Sequence, residues 1–232
     1  MDISNRLKTI AEMVDKGSKV ADIGTDHGLI PNFLVNENIS DFVICSDISE
    51  DSLNKSISLV KDMHNEEKVF PRVGNGLEVL SESEVDTVII AGMGGQLISD
   101  ILKKDIELVK NFKRLILQPM QGQHLLRKYL YENNFKIVNE EIIFEDNRFF
   151  EIIVAYYRED KNLVEEIFYT VPKTLYDEKA PILKEFLNNK IKYNENIINA
   201  IKGEELTAKS KSRIGDLLSE NREYRRLICN IE

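Results

Sequence analysis

The residues whose types and spacing carry the most chemistry lie in the run Val20-Ala21-Asp22-Ile23-Gly24-Thr25-Asp26-His27-Gly28-Leu29-Ile30-Pro31. Residues 20–23 read as a short buried strand, Gly24 opens a turn, and residues 29–35 read as the start of a helix. A glycine-hinged strand-to-helix turn presents backbone N–H groups and a helix N-terminus to a ligand. The dinucleotide pattern G-x-G-x-x-G has a glycine where this chain has Asp26. A carboxylate there repels a pyrophosphate and suits a ligand with a positive centre and no phosphate. S-adenosylmethionine, with an adenosine, a sulfonium and an ammonium, is such a ligand. The same segment also reads as an ordinary strand-helix loop with a glycine turn. Asp26 and His27 are the pair expected nearest any chemistry, although a lone histidine on such a loop is more often a hydrogen-bonded structural residue. His27, His64 and His124 do not form a metal cluster, so no metal is expected.

Three further strand ends carry side chains or glycines suited to the same ligand. Asp47, in Ile44-Cys45-Ser46-Asp47-Ile48, lies about 20 residues past the glycine turn, where a carboxylate accepts hydrogen bonds from ribose hydroxyls. The alternative is a helix N-cap for the helix that follows. Gly74-Asn75-Gly76 lets backbone approach a flat ligand, and the Asn75 amide can serve an adenine edge; a lone Gly-Asn-Gly is equally a turn. Ala91-Gly92-Met93-Gly94-Gly95 implies close approach of backbone to something bound, with Met93 lining the ligand or filling core. In several nucleic-acid amino-methyltransferases the position of Leu117-Gln118-Pro119-Met120-Gln121 carries an Asn-Pro-Pro-type tetrapeptide that grips the target amine. Gln118-Pro119 can do related work, or the proline can simply end the strand. No motif presents a cysteine nucleophile, which argues against cysteine-based methyl transfer to a base carbon.

These strand ends need a scaffold. Strand patterns at 19–23, 42–46, 69–73, 85–91, 114–118, 135–143 and 150–157 alternate with helical patterns at 29–36, 51–63, 76–80, 96–109 and 122–132. Leu7, Ile10, Ala11 and Val14 follow helical spacing, with Asp2 or Ser4 as N-cap and Lys16-Gly17-Ser18 as terminator. The alternation implies a parallel sheet covered on both faces. The last two strands, joined by a turn around Glu145-Asp146-Asn147-Arg148, form an antiparallel edge pair. The expected fold is therefore α/β: a Rossmann-like class I methyltransferase fold with a seven-stranded, mostly parallel sheet. Beyond Arg158 the pattern changes. A connector with Val171-Pro172-Lys173 and Ala180-Pro181 leads into helical spacing at Leu183, Leu187, Ile191, Asn194, Ile198 and Ile201. Gly203-Glu204-Glu205 breaks it, and a second helix at about 206–230 carries Leu206, Ile214, Leu217, Leu218, Tyr224 and Ile228. This predicts a C-terminal, coiled-coil-like α-helical hairpin. The expected domains are 1–159, catalytic, and 160–232, the hairpin, which packs, forms a homodimer seam or grips substrate.

The chain of 232 residues has a 42% hydrophobic content and a net charge of −9. The whole −9 falls on residues 1–159, with 18 Lys/Arg against 27 Asp/Glu, while residues 160–232 balance at 13 each. This argues against bulk nucleic-acid binding, so a polyanion must meet local basic patches. Only Cys45 and Cys229 are present, far apart, which fits a reducing cytoplasm. The N-terminus lacks the order of a signal peptide and no apolar run reaches transmembrane length, so no membrane association is expected.

Taken together, Arg6-Leu7, Ile10-Ala11, residues 21–27, Gly76-Leu77-Glu78-Val79, Ala91-Gly92-Met93-Gly94-Gly95 and Leu115-Ile116-Leu117-Gln118-Pro119 resemble the bacterial tRNA (adenine-N1)-methyltransferase family that modifies adenine 22 of tRNA, the TrmK family. The resemblance implies S-adenosylmethionine as donor, tRNA as partner and no metal. It implies a cofactor site at Asp22, Gly24, Thr25, Asp26, His27, Asp47, Ile48, Asn75, Gly76, Ala91, Gly92 and Met93. Asp26, His27, Gln118 and Pro119 are the catalytic candidates. Family members commonly have Asn after Gln-Pro, where this chain has Met120. The implied reaction is in-line attack of adenine N1 on the methyl carbon, with a carboxylate such as Asp26 stabilising the cationic product base. Alternatives are a methyltransferase of a small molecule or protein, and a non-catalytic nucleotide-binding protein.

Overall fold

The computed structural model describes residues 1–159, 164–203 and 207–231. A helix, α1 (Asn5–Glu12), precedes an alternating series: β1 (Val20–Ile23), α2 (Leu29–Asn36), β2 (Val43–Asp47), α3 (Glu50–Asp62), β3 (Val69–Val73), β4 (Thr87–Gly94), α4 (Gly95–Lys104), α5 (Ile106–Val109), β5 (Arg114–Gln121), α6 (Gln123–Glu132), β6 (Phe135–Glu145) and β7 (Arg148–Tyr157). The strands form a seven-stranded sheet in the order β3-β2-β1-β4-β5-β7-β6. The first five are parallel; β7 runs antiparallel to both β5 and β6. This is the class I methyltransferase sheet expected from the strand pattern, with the reversed hairpin at its edge.

Strand periodicity sorts the core into two layers. On β4, Val88 and Ile90 join one buried cluster and Ile89 the other; on β5, Leu115 and Leu117 face one side and Ile116 the other. One layer is closed by Ile98 and Leu102 of α4 with Leu126 and Leu130 of α6. The opposite layer is closed by Ile10 and Ala11 of α1 with Ile30, Phe33 and Leu34 of α2. Parallel strands covered on both faces need apolar residues throughout, as the fully buried Val20–Ile23 displays.

Several expected elements differ in detail. The N-terminal helix ends at Glu12, capped at its start by Ser4 rather than Asp2, so Lys16-Gly17-Ser18 lies beyond it. Residues 76–80 form only a single 3-10 turn, Gly76–Val79, at whose start Glu78 accepts the Asn75 N–H at 2.8 Å. The helical pattern at 96–109 breaks at Asp105 into α4 and α5. Pro119 does not end its strand: β5 continues to Gln121. The pairing shifts register between Ala91 and Met93, and Pro119 pairs there with Met93. A residue without an N–H is tolerated where a bulge interrupts the ladder.

Contacts divide the chain into two compact units, Met1–Thr170 and Val171–Glu232. The first unit closes with a short helix that the sequence pattern does not reveal, α7 (Ile167–Thr170). Its Phe168 is buried, and Tyr169 stacks near Tyr131 at 6.2 Å between ring centroids. The second unit holds α8 (Lys173–Asp177), equally hidden in the pattern, α9 (Pro181–Lys202) and α10 (Ala208–Ile231). Pro172 caps α8 and Pro181 opens α9, positions where a missing N–H costs no intrahelical bond. Leu183, Phe186, Leu187, Ile191 and Ile198 of α9 and Leu217, Tyr224 and Leu227 of α10 are buried. Leu218, expected in the apolar stripe, is exposed instead. Within the pair, Asn194 donates to Glu220 and to Asn221, each at 2.9 Å, placing a polar layer inside an apolar seam. Glu204, Glu205 and Leu206 fall outside the described residues.

Candidate active site

At the carboxyl ends of β1, β2 and β4 the sheet opens into a cavity of about 540 Å³. The order reverses here, since β1 is flanked by β2 on one side and β4 on the other, and helices leave in opposite directions. The volume is that of a small-molecule or cofactor site. All twelve residues expected at a cofactor site line it: Asp22, Gly24, Thr25, Asp26, His27, Asp47, Ile48, Asn75, Gly76, Ala91, Gly92 and Met93.

The floor is built from β1 and its loop. Gly24 has φ +76°, and a Cβ there would collide with the Met93 methyl group. The turn thus needs glycine for its conformation, whereas the flexible end of the Met93 side chain can yield. Asp26 also sits at positive φ, +49°, a conformation that a short acidic residue tolerates. Gly28, at φ +70°, caps α2. Across the cavity Gly92 has φ +83°, and a Cβ at that position would meet nothing within 4 Å, so the β4 end presents bare backbone.

Charge inside the cavity is negative. Asp22 is only 3% exposed, and its carboxylate accepts the Thr25 hydroxyl at 2.7 Å. Burial pushes its pKa up to about 6, opposed by the Thr25 hydrogen bond and reinforced by the nearby Asp47 carboxylate. Asp47 accepts the Asp26 and Ser49 N–H groups, while Ser49 itself caps α3, so the N-cap alternative for Asp47 is not realised. Asp26 is more than half exposed, with Lys55 Nζ at 3.8 Å and His27 Nε2 at 3.4 Å. Three carboxylates facing one cavity favour a cationic ligand and disfavour a phosphate. Ile48, 71% exposed, and Leu97, 51% exposed, make apolar lips at the mouth.

Gln118 and Pro119 do not line this cavity. Gln118 is fully buried, and both ends of its amide are engaged: Oε1 accepts Arg6 Nη1 at 2.6 Å, and Nε2 donates to the Pro119 carbonyl at 3.0 Å. The side chain that reaches the cavity from this direction is Arg6, on α1. Arg6, Leu7, Leu97 and Ile101 are lining residues that spacing within the strand-end motifs does not reveal, because they come from helices that fold over the opening. Only the family resemblance signals Arg6-Leu7. Among the described residues no group of three or more His, Cys, Asp or Glu is arranged to hold a metal ion, and no helix is long and apolar enough to cross a membrane.

Comparison with known proteins agrees with this geometry. A family model described as "Methyltransferase domain" matches residues 3–153. The tRNA (adenine(22)-N(1))-methyltransferase of Bacillus subtilis (strain 168) is 34% identical over 155 residues, which cover 67% of this chain and 65% of that relative's length. The crystal structure of the B. subtilis M1A22 tRNA methyltransferase TrmK superposes with a TM-score of 0.86 at 27% identity, covering 98% of this chain and 99% of that one. A Streptococcus pneumoniae protein solved in complex with S-adenosyl-L-methionine superposes with a TM-score of 0.85 at 27% identity, covering 98% and 100%. With its motifs gathered in one cavity on the same fold, the chain belongs to the methyltransferase-domain family and, within it, to the TrmK family.

Proposed function

We propose that the protein uses S-adenosylmethionine to methylate N1 of adenine 22 in tRNA. The observation that carries this reading is the cavity at the β1, β2 and β4 ends, which turns Asp22, Asp26 and Asp47 toward one ligand against a single lining arginine, Arg6, among the described residues. The bare backbone at Gly92 and the left-handed glycine turn at Gly24 fit a ligand held close to the main chain. S-adenosylmethionine also binds the Streptococcus pneumoniae relative.

In this reading Asp47 receives the ribose hydroxyls, Ile48 covers a face of the adenine, and Asn75 with Gly76 borders its edge. Asp22, held by Thr25, and the Gly24 backbone receive the methionine ammonium. Ala91, Gly92 and Met93 form the opposite wall. When bound, S-adenosylmethionine supplies an electrophilic methyl group on a sulfonium. The protein's contribution is alignment and electrostatics: the carboxylates hold the donor, and Asp26 with His27 faces the developing positive charge on the base. N1 lies on the Watson–Crick edge, so the target nucleotide must leave its stack to reach the cavity. Gln118 and Pro119 act by shaping the end of β5. Catalysis takes place in the cytoplasm, where tRNA is modified, and the C-terminal helices serve tRNA contact or dimerisation.

The test is methylation of unmodified tRNA with labelled donor, followed by nucleoside analysis. 1-Methyladenosine at position 22 is expected. The acidic catalytic unit favours a second reading, methylation of a small molecule, and donor binding without any tRNA product would select it.

A further inference from the structure

Arg6 lines the cavity and lies over the Phe150 ring at 5.4 Å from its centroid; Arg148 lies over the same ring at 5.2 Å. Phe150 is itself buried, so the ring is a fixed plate with a guanidinium held against it by each arginine. Arg148 also donates from Nη2 to the Met120 carbonyl, which ties it to the end of β5. The two cations act on each other: Arg148 pushes the Arg6 pKa down, as burial does more strongly, while Glu145 pushes it up. Glu145 is partly engaged, accepting the Asn5 N–H at 2.8 Å. Neither guanidinium forms an ion pair with a carboxylate among the described residues. Two like charges thus share one aromatic ring beside the cavity that Arg6 lines, in a unit that is otherwise strongly acidic.

We infer that Arg6 and Arg148 form a phosphodiester clamp for the nucleotide whose base enters the cavity. This rests on the proposed function and deepens it. Methylation at N1 makes the base cationic, so a guanidinium beside the base would oppose the reaction. A flipped nucleotide brings its own phosphates to the cavity edge, and those are dispersed anions matched by a guanidinium fork. An arriving phosphate adds to the Glu145 carboxylate, which already outweighs the effect of Arg148 on Arg6. It does so where the rest of the unit repels a polyanion, so the clamp also sets where RNA can approach.

The experiment uses the full-length protein and an unmodified tRNA transcript, with variants Arg148→Gln and Arg148→Lys. Donor affinity by calorimetry and the thermal midpoint report folding, and both should stay near wild type because Arg148 does not line the cavity. Expected for Arg148→Gln is a tRNA KM raised roughly tenfold and a slope of log affinity against log salt reduced by about 0.9. Arg148→Lys should restore the salt slope but not the KM, since it returns charge without the fork. A variant that loses kcat with unchanged KM and salt slope would reduce Arg148 to an anchor for the Met120 carbonyl and overturn the clamp. Wild-type behaviour of Arg148→Gln alongside active wild-type protein would overturn the clamp and leave the function standing. Wild-type protein that neither binds nor methylates tRNA would overturn both.

Discussion

The Asp47 carboxylate at the end of β2 accepts the backbone N–H of Asp26 at 3.3 Å, and its other oxygen accepts the Ser49 N–H at 2.9 Å. One side chain therefore links the loop after β1 to the start of α3. In the proposed function Asp47 has two duties, ordering the Asp26 loop and receiving the donor's ribose. Asp47→Ala removes both and should weaken S-adenosylmethionine binding at least about tenfold, since a hydrogen bond to a charged group contributes roughly 1.5–3 kcal/mol. Asp47→Asn keeps one acceptor oxygen and should fall between. Calorimetry on both variants decides: affinity at the wild-type level in folded Asp47→Ala removes Asp47 from the site.

Asp22 makes a pH-dependent prediction. Its pKa rises from 3.8 to about 6 in the folded chain because burial penalises the charge. A raised pKa means the native state holds the proton more tightly. Its stabilisation is complete below the unfolded value and disappears as pH climbs through about 6. Over that window wild-type protein should lose stability relative to Asp22→Asn, on the order of 3 kcal/mol. Donor binding should run the other way, tightening as pH rises through 6, because a cation prefers the ionised carboxylate. Denaturation and calorimetry between pH 4 and 7 read both effects; parallel profiles for wild type and Asp22→Asn would show that Asp22 does not titrate there.

The strand positions along the chain and the residues at their ends are legible in the sequence because they depend on local pattern. Buried parallel strands must be apolar throughout, and Gly24, Asp47 and Gly92 sit at strand ends by chain position alone. The other side of the cavity depends on long-range packing. Arg6 and Gln118 lie 112 residues apart, and no local spacing encodes their 2.6 Å contact. The same holds for Arg127, fully buried between Glu140 at 2.7 Å and Glu151 at 2.7 Å, which reads in sequence as an ordinary exposed helix charge. The short helices α7 and α8 escape a sequence reading because their few residues carry no measurable period. The helical pattern at 96–109 does not reveal the break at Asp105, and Pro119 stays inside β5 because it sits where the pairing with β4 shifts register.

Asp26 sits at positive φ and more than half exposed, so its charge and its backbone conformation can be tested separately. Asparagine tolerates the same conformation, and Asp26→Asn therefore removes charge at little structural cost. Turnover should fall more than tenfold, above about 1.4 kcal/mol of transition-state stabilisation, with a smaller loss of donor affinity. Single-turnover kinetics with tRNA measure this. A rate within about twofold of wild type would leave Asp26 with a loop role only.

The C-terminal unit supplies the last prediction. Arg225 is engaged with Glu195 at 2.8 Å and Arg226 with Glu223 at 2.9 Å, so part of the basic charge of α10 is already neutralised by its own helix pair. These pairs are half exposed and contribute little stability, so exchanging either carboxylate for a phosphate costs little. Arg222 on the same helix is exposed. If α10 contacts tRNA, neutralising Arg222, Arg225 and Arg226 together should flatten the salt dependence of tRNA affinity, with about 0.9 removed from the slope for each phosphate no longer neutralised. Truncation gives a second reading, and the cut belongs after Thr170, because Phe168 and Tyr169 pack with the catalytic unit. The truncated protein should bind S-adenosylmethionine and fail to methylate tRNA. A triple variant with the wild-type salt slope, together with an active truncated protein, would assign the helices to packing or dimerisation and leave tRNA docking to the catalytic unit alone.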